Sequence, residues 1–300
     1  MKKQIKFLAI ALFLIASFLS SCKKEITVEP QSTNTQVSVG VEKEAAVRDN
    51  NMALGNPSNA TNSTSNFNNY LMTKTDYSLS YNRTKGTPNW VSWHLNMAWK
   101  GSAPRVNAFA ADITLPSTWT KVTPSDYTNS GFDKGHICPS DDRDFSVAEN
   151  KETFLMTNMM PQAPINNQQT WRYLEAYCQK LALNSGMEMY IIAGPNGSGG
   201  TGSKGPATSI ANGKVKVPSK VWKVIVLLPD GSNDISRVTT STRVIAVLMP
   251  NKQTVNTQPW GYYRVSVDQI EALTGYNFLS NVPVSIQNTI EAQVDNGPTQ

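Results

Sequence analysis

Between Phe132 and Gln179 the chain carries, in close succession, one of its only two histidines, an amide-rich turn and an amphipathic helix. His136 closes Asp133-Lys134-Gly135-His136, the turn is Asn166-Asn167-Gln168-Gln169, and the spacing predicts a helix over 170–182. Trp171, Leu174, Cys178 and Leu181 recur at intervals of three and four, so they share one face that must be buried. A helix of this kind needs an apolar partner surface, and the runs around it supply strands.

Those runs are Tyr77–Tyr81, Trp90–Leu95 after the turn Thr84–Pro88, Phe154–Met160 ending at Pro161, Met187–Ala193, Trp222–Leu228 and Arg243–Met249. They are aromatic or β-branched and bounded by Gly, Pro, Asn or Asp, as strands are. Ser266 is placed to cap a second helix that buries Ile270 and Leu273. Strands and helices do not alternate regularly, which favours an α+β domain over a doubly wound sheet. With no internal repeat and no second apolar unit, one domain over 51–292 is expected, followed by a tail over 293–300. His94 lies inside a strand run and reads as a packed structural residue. Trp90, Trp93 and Trp171 read as core rather than as platforms for stacked bases.

The first residues have a different character. Lys2, Lys3 and Lys6 precede a nearly uninterrupted apolar run from Phe7 to Leu19, shorter than the roughly 20 residues of a spanning helix. An export signal over 1–21 is expected. Leu19-Ser20-Ser21-Cys22 resembles the cleavage site of bacterial lipoproteins, in which the cysteine is acylated. That makes Cys22 the lipidation site, 22–50 a polar tether, and the destination extracytoplasmic: an outer-membrane or cell-surface lipoprotein, otherwise a secreted protein. Cys138 and Cys178 remain in the mature chain, and the sequence leaves their pairing open. Two thiols without a second nearby histidine do not make a closed zinc site.

The chain has 27 basic and 22 acidic residues, and loss of the three signal lysines leaves it only mildly basic. Nucleic acid is therefore allowed as a partner but needs a local patch to attract it. Phosphodiester cleavage needs a base, a cation and stabilisation of the departing oxygen. His136 can serve as the base near neutral pH, and Asn167 offers an amide oxygen of the kind Mg²⁺ accepts. Glu175, on the helix, adds a carboxylate. Read alone, Asn167 could equally cap the helix or make an Asx turn, Glu175 could face solvent, and Arg105 could be a solvated surface charge.

A longer pattern narrows the choice. Phe132-Asp133-Lys134-Gly135-His136-Ile137-Cys138-Pro139-Ser140-Asp141-Asp142-Arg143, then Thr157-Asn158-Met159-Met160-Pro161-Gln162, then Asn166 through Glu175, resembles the DNA/RNA non-specific endonucleases of the ββα-metal fold. The likeness continues through Leu54–Ser58, Trp90–Trp93 and Leu273–Tyr276. The resemblance implies one catalytic domain, a mostly antiparallel mixed sheet with flanking helices, and hydrolysis of DNA and RNA to 5′-phosphate ends. It implies His136 as general base, Asn167 as direct ligand of hydrated Mg²⁺ or another divalent ion such as Mn²⁺, and Glu175 acting on that ion through water. Arg105 and Asn158 fall on catalytic positions of the family, with Lys134 and Arg143 as substrate-binding cations. A protein inhibitor is compatible with such an enzyme.

Two residues depart from the family pattern. Lys134 replaces an arginine and loses the planar fork that grips two phosphate oxygens. Gln179 replaces an arginine found in relatives, so a second cation is missing; Arg143 or Arg172 is available to compensate. These departures leave a competing reading, a surface lipoprotein that binds nucleic acid with weakened catalysis. A phosphodiesterase acting on small nucleotides is a third.

Overall fold

The computed structural model describes residues 46–300, so the expected signal over 1–21, Cys22 and most of the tether lie outside the described residues. β1 (Tyr70–Thr73), β2 (Ser78–Asn82) and β3 (Thr87–Leu95) open the domain. β4 (Asp133–His136) and β5 (Met159–Gln162) form a separate antiparallel hairpin. β6 (Met187–Asn196), β7 (Lys220–Pro229), β8 (Val244–Pro250) and β9 (Arg264–Val265) complete a seven-stranded sheet in the order β1-β2-β3-β6-β7-β8-β9. Every neighbouring pair of strands in it is antiparallel, and an isolated parallel bridge joins Thr61 to Tyr70 of β1, in keeping with the expected mostly antiparallel sheet. The α-helices longer than about one turn are α1 (Val147–Glu152), α2 (Arg172–Asn184), α3 (Val267–Thr274) and α4 (Val284–Ile290) among the described residues.

The sheet is buried on both faces, which is why its central strands read as continuous apolar runs. Successive side chains of β7 point to opposite faces: Val221, Ile225 and Leu227 join Trp171, Leu174 and Cys178 of the α2 layer. Trp222, Val224, Val226 and Leu228 pack instead with Val267 and Ile270 of α3, Phe278 and Ile290. Each buried aliphatic side chain contributes about 1.5–3 kcal/mol relative to exposure. A smaller third core, with Phe132, Met156 and Met159, lies beneath the β4–β5 hairpin.

Local chemistry sets the helix ends. Ser266 caps α3 in a reciprocal capping box with Gln269, and Gly275 ends it at φ 74°, a left-handed conformation that glycine adopts without steric cost. A π-helical turn, Asn166–Trp171, runs directly into α2, so the helix starts one turn earlier than its apolar spacing predicts. Phe154–Met160 is not a strand: Met156–Asn158 is a tight turn, and β5 continues through Pro161 to Gln162. Pro161 is tolerated because β5 pairs on one side only.

Both ends of the domain are docked. Arg48 donates to Ala98 O at 2.8 Å, bridges Glu149 at 2.8 Å and stacks on Trp99, so Arg48 packs against the domain. The expected tail over 293–300 is pinned by Asp295, which pairs with Arg243 at 2.7 Å and Arg264 at 3.0 Å. Cys138 and Cys178 are both buried free thiols.

Asp76, in the β1–β2 turn, is buried against Glu152. Burial, and then the hydrogen bond and charge of Glu152, push its carboxyl up to about 7. The folded protein thus keeps a proton that the unfolded chain releases near its ordinary value of about 3.9. The resulting stability is fully present below that value and is lost as pH rises through about 7. Asp76→Asn should remove this dependence: at pH 8 the variant gains about 1–2 kcal/mol over wild type, read as a higher urea midpoint, and at pH 4 it gains nothing.

Candidate active site

The β4–β5 hairpin and the helical turn after it face one another across an open cleft of about 440 Å³. Arg105, Lys134, His136, Ser140, Asp141, Asn167, Gln168, Arg172 and Glu175 line it. Residues far apart in sequence meet there because β4 pairs with β5 residue for residue, His136 opposite Met159, and β5 leads within four residues into the π-helical turn. π-Helical turns inside α-helices recur at functional sites. Here the turn carries Asn167 and sets it before α2.

His136 ends β4 with its ring edge-on to Phe154, centroids 4.7 Å apart, and 5.4 Å from Phe109. Its Nε2 is buried and has no hydrogen-bond partner. Burial, reinforced by Arg105 and Lys134, pushes the imidazole down to about 3. The ring is therefore neutral at physiological pH, with one ring nitrogen free of a proton. Gly135 makes this placement possible: a Cβ there would collide with the Gln162 side chain.

Asn158 stands behind the cleft and does not line it. Its Oδ1 accepts from Cys138 N at 2.9 Å, and its Nδ2 donates to Cys138 O at 2.9 Å and Thr153 O at 2.8 Å. With Asn158 O accepting from Ile137 N at 3.0 Å, these bonds clamp the backbone that follows His136. Its assignment as catalytic is corrected to a positioning role. Arg105 does reach the cleft, bonded to Ser140 Oγ and, through Nε, to Asn107 Oδ1 at 3.0 Å, with its guanidinium 4.9 Å from the Phe154 ring.

Asn167 Nδ2 donates to Asp133 Oδ2 at 2.9 Å, and Gln168 Nε2 shares that oxygen at 2.8 Å. A carboxylate can only accept, so Asp133 fixes which end of the Asn167 amide is nitrogen and leaves Oδ1 available. Glu175 Oε1 lies 3.4 Å from Lys223 Nζ. Burial pushes the Glu175 carboxyl up to about 7 against the pull of Lys223, with Asp142 and Asp141 raising it further. A neutral amide oxygen beside carboxylates in an open, wet cleft suits a hydrated hard cation, which takes few protein ligands. Asn167, Glu175 and Asp141 fit one.

Arg143, expected among the substrate-binding cations, does not line the cleft. It is wholly buried, with its guanidinium donating to Asp76 O at 2.7 Å, Asp142 O at 2.8 Å and His94 O at 2.9 Å, and stacked 3.9 Å over Trp99. The motif places a fold-locking arginine next to the site. With Arg105, Arg172 and Lys134 are the cations that do face the cleft, Lys134 with Nζ 4.8 Å from the Phe109 ring. Gln179 is occupied, donating to Asp142 Oδ1 at 2.8 Å. The cation beside Glu175 is Lys223, a buried β7 residue 4.2 Å from the Trp171 ring, which the sequence reading missed. A lysine within the apolar run Val221–Leu228 was the available signal, because buried lysines need a partner. The roles of Asp133 and Ser140 were also missed.

His94 is structural, as its strand context implies. Its Nδ1 accepts from Trp99 Nε1 at 3.1 Å, so Nε2 carries the proton toward Glu188 at 3.3 Å. Asp49, His94, Glu188 and Asp234 form a cluster apart from the cleft. Arg237 bonds both Glu188 and Asp234, and Tyr190 bonds Asp234, so this cluster is closed by protein groups.

Two strands that present a histidine and a helix that presents an amide and a carboxylate across from it define a nuclease of the ββα-metal class. The sequence profile of the DNA/RNA non-specific endonuclease family matches residues 54–285. A nuclease of Nostoc sp. is 51% identical over 245 residues, covering 82% of this chain and 86% of the relative. Nuclease C1 of Cunninghamella echinulata is 30% identical over 223 residues, covering 72% and 84% respectively. The solved EndoG/EndoGI complex superposes with a TM-score of 0.63 at 24% identity, over 81% of this chain and 96% of that one, and shares the fold. The chain belongs to the DNA/RNA non-specific endonuclease family, a family of metal-dependent hydrolases, and is a nuclease.

Proposed function

We propose that this enzyme hydrolyses internal phosphodiester bonds of both DNA and RNA with little sequence preference, leaving 5′-phosphate and 3′-hydroxyl ends. The observation that carries the reading is the buried, unpartnered Nε2 of His136, neutral and set in the wall of a cleft ringed by Arg105, Lys134 and Arg172. His136 accepts a proton from the attacking water as its oxygen bonds to phosphorus; the bond from phosphorus to the 3′ oxygen breaks, and that oxygen takes a proton from solvent to become the 3′-hydroxyl. Arg105 lies where it can meet charge growing on the phosphoryl oxygens. Lys134 and Arg172 hold the backbone phosphates, which carry no base identity, and that accounts for cleavage without sequence preference. Asn167 would hold Mg²⁺ or Mn²⁺, with Glu175 beside it; when bound, the ion supplies Lewis-acid polarisation of a phosphoryl oxygen.

Purified protein incubated with plasmid DNA and with RNA should degrade both in Mg²⁺ or Mn²⁺ and neither in EDTA. Below substrate saturation, raising salt from about 50 to 200 mM should slow cleavage, as cations on phosphates require. Intact RNA beside degraded DNA, or EDTA-resistant cleavage, would overturn this reading. A binding-only lipoprotein rested on Lys134 and Gln179, and no contact of either residue favours it.

Export and anchoring through acylated Cys22 complete the proposal, with the enzyme held on an extracytoplasmic membrane face. Cys22→Ser should release it from the membrane fraction. EndoG in the solved complex is inhibited by EndoGI, and a protein inhibitor of this enzyme is part of the same proposal.

A further inference from the structure

On the sheet face opposite α2, three carboxylates converge with no basic partner. Asp268 and Glu271 lie one turn apart on α3, and Glu291 follows the last residue of α4. One oxygen from each lies within 4.8 Å of the others. None of the three takes part in an ion pair among the described residues. Glu291 is only 5% exposed, and its Oε1 is buried without any hydrogen-bond partner. The backbone holds the group in place: Asp268 N donates to Glu291 O at 3.1 Å, and Phe278 N donates to Glu271 Oε1 at 2.8 Å.

An uncompensated buried carboxylate facing two others is costly, and the structure meets such a cost either with a cation or with a proton. The spacing points to the cation. Oxygens around Ca²⁺ sit at about 2.3–2.6 Å, so ligands on opposite sides of one ion lie just under about 5 Å apart. Exposed Asp268 leaves one side open for the waters that complete a six- to eight-fold shell.

We infer that Asp268, Glu271 and Glu291 form a second cation site, selective for Ca²⁺ over Mg²⁺, that ties the end of α4 to α3 and is separate from the catalytic cleft. Mg²⁺ demands short, near-octahedral ligation, which three carboxylates on two rigid helix ends do not supply. The site stabilises the back face of the sheet, where Val267, Ile270 and Ile290 enter one core, and takes no part in phosphodiester chemistry.

The full-length protein carrying Asn167→Ala, which removes the cleft's direct ligand, isolates this site. Equilibrium dialysis against CaCl₂ after EDTA treatment should find one Ca²⁺ per chain. Thermal unfolding in 5 mM CaCl₂ should rise by about 3 °C or more over EDTA, with a smaller rise in MgCl₂. Adding Glu291→Gln should abolish both signals, and its Tm in EDTA should equal or exceed that of its parent because a buried acid becomes neutral, which shows that it folds. Asp268→Asn, at an exposed position, should weaken Ca²⁺ binding at least tenfold. Equal Ca²⁺ stabilisation in all three proteins, or none in the Asn167→Ala parent, overturns the site and leaves the triad sharing a proton.

Discussion

His136→Ala should lower cleavage of DNA and RNA alike by about 10²–10⁴-fold while the protein stays folded. The ring occupies the cleft wall, not the centre of a core, and the backbone around it is held by Asn158 and the β4–β5 ladder rather than by the imidazole. The loss should therefore fall on kcat, with KM for plasmid DNA nearly unchanged, since Arg105, Lys134 and Arg172 still meet the phosphates. His94→Ala should give the opposite signature. That ring is fully buried and receives the Trp99 indole N–H, so its loss lowers the urea midpoint and spares kcat in the molecules that remain folded. Rate and midpoint measured on both variants decide it; His136→Ala at wild-type rate would remove the histidine from the chemistry.

The contrast between the histidines was half legible in the sequence, and the reason is physical. A periodic or β-branched run reports its own burial, so α2 and the strands β6, β7 and β8 emerge from local pattern alone. The pattern cannot report a partner. Glu188, 94 positions from His94, arrives through sheet register, and Lys223, 48 from Glu175, through packing of α2 on the sheet, and no local window contains either. Phe154–Met160 read as one strand because its side chains are apolar; the turn inside it is held by the Asn158 side chain, whose Nδ2 donates to the carbonyls of Cys138 and Thr153.

The catalytic cleft itself was legible chiefly through resemblance. His136, Asn167, Glu175, Lys134 and Arg105 do line one pocket. Their chemistry nevertheless depends on residues the motif does not flag by type: Asp133 orients the Asn167 amide, Ser140 holds Arg105, and Lys223 lies under Glu175. The last of these answers the substitution at Gln179. The charge lost from the helix surface is matched by one rising from the sheet, clamped between Trp93 and Trp171.

Arg143→Ala should destabilise the domain by about 3–5 kcal/mol, a large part of the roughly 5–15 kcal/mol that holds a domain folded. The guanidinium is fully buried and donates to three backbone carbonyls, those of Asp76, Asp142 and His94, which join the β1–β2 turn, the segment after His136 and the end of β3. Truncation strands these acceptors in a space without water, each at about 1–3 kcal/mol, and opens a void against Trp99. Lysine does not restore the set, because one ammonium cannot span acceptors arranged for a planar fork. Arg172→Ala, exposed on the cleft wall, should instead keep the wild-type urea midpoint and raise KM for DNA several-fold, more at low salt than at high. Arg143→Ala at an unchanged midpoint with a raised KM would return this arginine to the substrate and refute its structural role.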